Sequence, residues 1–166
     1  MGADLPQTHG RQSFRFRVDR PLGKLAKWLR LLGYDTVSDR LSKAGHIRPG
    51  SRHDDRIWII AADLPVRTEG IIGVNATDPI RQVFQVLTAL GIERESLKPF
   101  TRCIQCNHEL DAVARKHVRG RVPDYIWETH KQFRTCSKCN RIFWRGSHVV
   151  KQRRIMDRLF KGDRIE

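Results

Sequence analysis

The chain's four cysteines fall as two matched pairs, Cys103-x-x-Cys106 and Cys136-x-x-Cys139, each followed at once by an asparagine, Asn107 and Asn140. They read as one turn written twice, TRCIQCN and RTCSKCN. Zinc takes four ligands in a tetrahedron, and two such turns converging from opposite sides close a site with thiolates alone. Two disulfides are the alternative, but a bridge across a two-residue gap is strained, and no secretory signal implies an oxidising compartment. The wide interval between the pairs predicts a ribbon with an excursion inside it. A site whose four positions are all protein has none left for substrate, so it is architecture. Chemistry has to be sought elsewhere.

With the ribbon at the end of a 166-residue chain, roughly 100 residues remain ahead of it, enough for one modest core. The formal net charge of +14 favours a polyanionic partner, nucleic acid being the commonest. The plain alternative is a merely basic, soluble protein. A membrane partner is not expected, because no long apolar run or basic amphipathic helix is present. The opening MGADLPQTHGRQS lacks an apolar signal-peptide core, and Pro6 stands where a myristoylation signal needs serine or threonine. Residues 1–13 are read as a loose leader, and the protein as cytoplasmic.

Phe14, Phe16 and Val18 alternate with Arg15 and Arg17, the period of a half-buried strand that ends at Asp19. Pro21 suits a first helical turn, and Leu22, Leu25, Leu29 and Leu32 recur at helical spacing up to Gly33. Lys24, Lys27 and Arg30 form a basic stripe on that helix. A short strand over residues 34–37 follows. Residues 38–55, broken by Gly45, Pro49, Gly50 and Ser51, are read mostly as loop. Residues 57–60 and 71–74 are buried-strand runs. Asp78-Pro79 starts a helix whose face is Ile80, Val83, Phe84, Leu87 and Leu90, ending at Gly91. Such alternation predicts a small, mainly parallel α/β layer. Residues 98–100 form the joint to the ribbon. Ile155, Met156 and Leu159 predict a short helix in the basic tail.

Ligands of open parallel sheets bind beyond the C-terminal strand ends. Asp19 follows the first strand and Asp63 the third, so both can face one crevice there. Two neighbouring carboxylates repel unless a cation lies between them. Magnesium and manganese choose oxygen ligands, activate water and steady a leaving oxygen. The plainer role for Asp19 is to cap the helix after it, and for Asp63 to sit in a turn.

The stretch RVDRPLGKLAKWLRLLGYDT resembles the opening of the Mut-seven C-terminal ribonuclease family, a PIN-like nuclease domain followed by a zinc ribbon. RIWIIAAD stands where that family carries an Arg-Ile-Leu-Leu-Thr-Arg-Asp-like strand end, and the likeness continues through DPIRQVFQVL, RCIQCNHEL and FRTCSKCNRIFWRGSHV. It covers most of residues 14–150, with its centre poorest. The resemblance implies metal-dependent cleavage of RNA, with Asp19 and Asp63 as acidic Mg²⁺ or Mn²⁺ ligands. A third carboxylate is expected between them: Asp39 lies nearest, with Asp54 and Asp55 as alternatives. It also implies the layout: leader 1–13, PIN-like domain 14–97, zinc ribbon 98–150, and a basic tail or helix over 151–166. Two departures bear on activity. Ala61 and Ala62 replace the threonine and arginine before Asp63, and VSDRLSKAGHIRPGSRHDD carries glycines and a proline where helix is expected. A register that turns DDRIWIIAA into helix would demote Asp63.

For nucleic acid, the candidate contacts are Arg20, Lys24, Lys27 and Arg30 beside the first aspartate, and Trp144 with Arg145 after the second knuckle. Aromatics beside arginine can stack a base, although Phe143 and Trp144 can equally pack the ribbon. His148 is a poor fourth ligand beside four thiolates, and His46, His53, His108, His117 and His130 lack metal spacing. Three functions compete: a metal-dependent ribonuclease, an RNA-binding adaptor on a decayed nuclease layer, and a module that docks a protein partner through the ribbon.

Overall fold

Phe16 and Val18 lose all solvent exposure while Arg15 is exposed and Arg17 partly so, and this two-residue period makes β1 (Arg15–Asp19) a strand with one face in the core. The computed structural model describes residues 14–40, 55–63, 66–68 and 70–146, together with 154, 155, 157 and 160. β1 runs parallel to β2 (Asp35–Asp39) on one side and to β3 (Ile57–Ala61) on the other. β4 (Val66–Thr68) lies antiparallel to β5 (Ile71–Val74), and β5 runs parallel to β3. The order is β2-β1-β3-β5-β4, so the four parallel strands end on one edge. That β3 is a strand rules out the helical register for DDRIWIIAA.

Asp19 caps a 3₁₀ turn, Arg20–Leu22, with Pro21 inside it, and α1 (Gly23–Leu31) continues from there. Leu25, Ala26 and Leu29 bury one side of α1. Asp78 caps α2 (Pro79–Ala89), its Oδ2 accepting from the N–H groups of Ile80 at 2.8 Å and Arg81 at 2.9 Å. Both helices pack on the sheet face that carries Phe16, Val18, Ile59, Ile72 and Val74. Burial of a side chain such as Leu29 contributes roughly 1.5–3 kcal/mol. On α2 the buried positions are Gln82, Val83, Val86 and Leu87, whereas Phe84, assigned above to the apolar face, is 45% exposed. The expected face was drawn one position too wide.

Gly33 ends α1 at φ +101°, and a Cβ there would lie 2.3 Å from the carbonyl oxygen of Lys98. Two hydrogen bonds fasten the joint: the N–H groups of Lys98 and Phe100 donate to the carbonyls of Leu32 and Leu31, at 3.1 and 2.9 Å. Gly33→Ala adds left-handed strain and a clash with main chain that cannot swing aside. It is expected to cost about 2–4 kcal/mol of stability, measured by urea unfolding.

The ribbon is a second, antiparallel sheet in the order β6-β7-β8, from β6 (Leu110–Val113), β7 (Phe133–Cys136) and β8 (Ile142–Trp144). The excursion between β6 and β7 holds a short helix, α3 (Asp124–Thr129). The architecture is α/β, a mainly parallel sheet with helices, followed by a four-cysteine ribbon. The edge strand β4 and helix α3 are additions to the sequence reading, and β2 reaches Asp39, inside the span assigned to loop. Arg154, Ile155, Asp157 and Phe160 are helical; Phe160 packs on the α/β core and Asp157 pairs with Arg94. The leader, Gly45, His46, Pro49, Gly50, Ser51, His53, Asp54, Ser147, His148, Met156 and Leu159 lie outside the described residues.

Candidate functional site

The Sγ atoms of Cys103, Cys106, Cys136 and Cys139 all lie within 4.8 Å of one another. The Cys103–Cys139 edge measures 3.8 Å, which is the ligand–ligand distance of a tetrahedron with metal–sulfur bonds of about 2.3 Å. Both knuckles are built alike. Asn107 (φ 66°) and Asn140 (φ 55°) take the left-handed conformation that asparagine tolerates, and each N–H donates back to the carbonyl of the first cysteine, at 2.9 and 2.8 Å. Cys103 and Cys136 N–H groups donate in turn to His108 and Arg141 carbonyls. This explains the asparagine in each copy of the motif. The backbone N–H of Arg141 lowers the Cys139 thiol to about 7, while Cys106, hydrogen-bonded to Cys139, is pushed up to about 12. The four sulfurs fit one thiophilic metal ion.

The first knuckle is riveted to the α/β sheet. Asn107 Oδ1 accepts from the Thr36 N–H of β2 at 2.9 Å, and its amide donates to Asp35. Arg30 Nη1 donates to the carbonyls of Ile104 and Gln105, both at 3.0 Å, and its Nε to that of Thr36 at 2.8 Å. Arg30, a phosphate candidate in the sequence, is committed to this joint instead. Arg56 forks onto both oxygens of Asp35, and Arg15 adds a third donor group. Burial pushes Asp35 up, but the hydrogen bonds from Arg56, Asn107 and Arg15 outweigh it and hold the carboxyl well below the usual carboxylate range. A depressed folded-state pKa means that the unfolded chain binds the proton first. The stabilisation is therefore complete above about pH 4 and disappears as pH falls through the folded value. With the side chain still 19% exposed, Asp35→Asn is expected to cost about 1–2 kcal/mol at pH 7. The deficit against wild type narrows in urea titrations below about pH 4.

At the C-terminal edge, Asp19 is 6% exposed, and its Oδ1 accepts from the Arg20 N–H at 2.8 Å. It caps the turn and stands at the end of β1. Parallel pairing sets Asp39 directly beside Asp19, on the same sheet face. Arg17, also on that face, pairs with the Asp39 carboxylate. Asp63 follows β3 by two residues and is exposed. Among the described residues, the four cysteines are the set of three or more ligand atoms gathered within 4.8 Å; the three aspartates share an edge without closing to that distance. Asp55 pairs with Arg15 at 2.9 Å, at the opposite end of the strands, which separates it from Asp19.

The sequence reading missed an amide network at this edge. Asn75, just past β5, donates from Nδ2 to the Asp63 carbonyl at 3.4 Å, and its own N–H meets Gln85 Oε1 at 3.3 Å. The signal was available in α2, where Gln82 and Gln85 interrupt an apolar face. Arg20, Lys24, Lys27 and Arg145 are exposed. Trp144 packs against the ribbon cluster of Val118, Ile126 and Phe133, and Phe143 against the cysteine cluster, so both serve packing. A cleft of about 480 Å³ next to Phe14, Ile57 and Gly70 opens at the opposite, N-terminal edge and takes no part in this site.

Among the described residues no helix is long and apolar enough to cross a membrane. Comparison with curated proteins and with solved structures gives no match. Comparison with known families matches the Mut7-C RNAse domain over residues 14–156, a span holding the parallel sheet, its three edge aspartates and both cysteine knuckles. The chain therefore belongs to the Mut7-C RNAse domain family.

Proposed function

We propose that the chain is a divalent-metal-dependent ribonuclease whose site is the strand-end edge of Asp19, Asp39 and Asp63. One observation carries this reading: the register that sets Asp19 against Asp39, with Asp63 beyond the next strand, in a chain of a ribonuclease family. The donor set is oxygen alone, which fits a hard cation such as Mg²⁺ or Mn²⁺. When bound, such an ion lowers the pKa of water and neutralises charge on the leaving oxygen. Asp19, fixed at one oxygen by Arg20, keeps the site negative within a basic molecule. Arg20, Lys24 and Lys27 supply exposed cations for the phosphates on either side of the scissile bond. The four cysteines are assigned to a structural zinc ion, since they leave no position for substrate. Labelled RNA incubated with Mg²⁺, Mn²⁺ or chelator tests the reading, with cleavage expected in the first two alone.

A second reading draws on the Arg17–Asp39 pair. A guanidinium already neutralises that carboxylate, as an RNA-binding adaptor without a catalytic cation needs. Binding without cleavage under every metal favours it.

A further inference from the structure

The excess positive charge is unevenly satisfied. In the α/β layer Arg15, Arg17 and Arg56 face aspartates, and Arg94 and Arg102 face Asp157 and Glu109. From Arg115 to Gly146 lysine and arginine outnumber acids heavily, with Asp124 and Glu128 the two carboxylates in that stretch. Among the described residues, no cation of this stretch enters an ion pair. Like charge crowded on one small lobe repels itself, and a polyanion relieves that repulsion.

The lobe is also ordered for binding. Arg115 donates from Nε and Nη2 to the Trp127 carbonyl at 3.0 and 2.8 Å, and its guanidinium lies 3.9 Å from the centre of the Trp127 ring. The Trp127 indole N–H returns a hydrogen bond to the Arg115 carbonyl at 3.2 Å. Arg119 rests its guanidinium 5.1 Å from the same ring and makes no hydrogen bond to a described residue. A guanidinium steadied on an aromatic loses less freedom when it grips a phosphate. Arg121 donates to the Asn140 carbonyl at 3.1 Å, which leans the loop on the second knuckle beside the exposed Lys138. At the start of α3, Tyr125 is 65% exposed, a large ring for which the fold has no packing use. An unpaired base can stack on such a ring, whereas a base inside a duplex cannot.

We propose that this excursion between the knuckles is a platform for single-stranded RNA, with phosphates held by Lys116, Arg119, Arg121 and Lys138 and a base stacked on Tyr125. The choice of RNA rests on the ribonuclease reading above; the platform itself rests on the lobe's charge and aromatics. The test uses the zinc-loaded full chain carrying Asp19→Asn and Asp63→Asn, so that no strand is cut. Fluorescence anisotropy follows binding of a short labelled polyuridine, and of an RNA duplex of equal length, between about 50 and 200 mM salt. Lys116→Glu with Lys138→Glu is expected to raise Kd at least about tenfold and to flatten the salt dependence by about two phosphate contacts. Tyr125→Ala is expected to weaken polyuridine binding about tenfold at an unchanged salt slope, with no effect on the duplex. Lys116 and Lys138 are exposed and make no hydrogen bond to a described residue, so their replacement is expected to leave the fold intact, which circular dichroism checks. Unchanged Kd and slope in the folded double variant overturn the proposal, as does a duplex bound as tightly as polyuridine with Tyr125→Ala inert. Cleavage never enters this measurement. A chain that binds through the lobe and cuts nothing sinks the hydrolase reading alone.

Discussion

Asp19→Asn is expected to lower RNA cleavage on the order of a thousandfold, about 4 kcal/mol of transition-state stabilisation, while the protein stays folded. The substitution separates two duties of one residue. Asparagine is as good a cap as aspartate, so its side-chain oxygen still accepts from the Arg20 N–H and the turn into α1 survives. What disappears is the negative charge at the strand end. Asp63→Asn is expected to cause a comparable loss with no change in unfolding midpoint, because its side chain is exposed. Asp39→Asn should cost less, about 10–100-fold, since Arg17 already neutralises part of that carboxylate. Asp55→Asn serves as the control: it sits with Arg15 at the far end of the strands and should leave the rate alone. Single-turnover cleavage of labelled RNA in Mn²⁺, after chelation and rigorous purification, makes the comparison. Equal rates for wild type and Asp19→Asn would falsify the assignment of chemistry to this edge and leave the adaptor reading.

The four parallel strands, both main helices and the cysteine knuckles were legible because each is written as a local period. Phe16 and Val18 alternate, Leu25 and Leu29 recur at helical spacing, Asp78-Pro79 is a start signal, and Cys-x-x-Cys is a turn with ligands attached. The strand-end position of Asp19 and Asp63 followed from those periods. The pairing of Asp19 with Asp39 did not, because register between β1 and β2 depends on how α1 and Gly33 return the chain, which no local pattern encodes. Arg30 was misjudged for a similar reason. On helix spacing it belongs with Lys24 and Lys27, but its partners, the carbonyls of Ile104 and Gln105, lie more than seventy positions away. Asn107 shows this too: its repetition in the motif marked a repeated turn, yet nothing local announced its left-handed backbone or that its amide would bridge Thr36 and Asp35.

That bridge sets the second large effect. Removing the metal, by chelation at neutral pH or by Cys136→Ser, is expected to destabilise the α/β sheet together with the ribbon. The cost is put at about 5 kcal/mol or more, a fall of roughly 10–20 °C in Tm for a chain this size. Ile104 and Gln105 lie between Cys103 and Cys106 and Asn107 follows them, so a metal on those thiolates would fix the two carbonyls and the Asn107 amide where Arg30, Thr36 and Asp35 require them. Once the knuckle opens, Arg30 keeps a half-buried charge with fewer acceptors, and the β2 edge loses the partner of its Thr36 N–H. Asn107→Gly isolates the coupling, because glycine keeps the left-handed turn while removing the amide. It is expected to retain the metal, counted by thiol-competitive zinc release, yet to lose about 1–2 kcal/mol. Hydrogen exchange locates where the loss falls. Faster exchange in β1 and β2 on chelation is the expected signature, since those strands lie beneath the bridge. Exchange that quickens in β6, β7 and β8 while β1 and β2 stay protected makes the ribbon a separate unit, and the joint at Asp35 is then a contact without consequence.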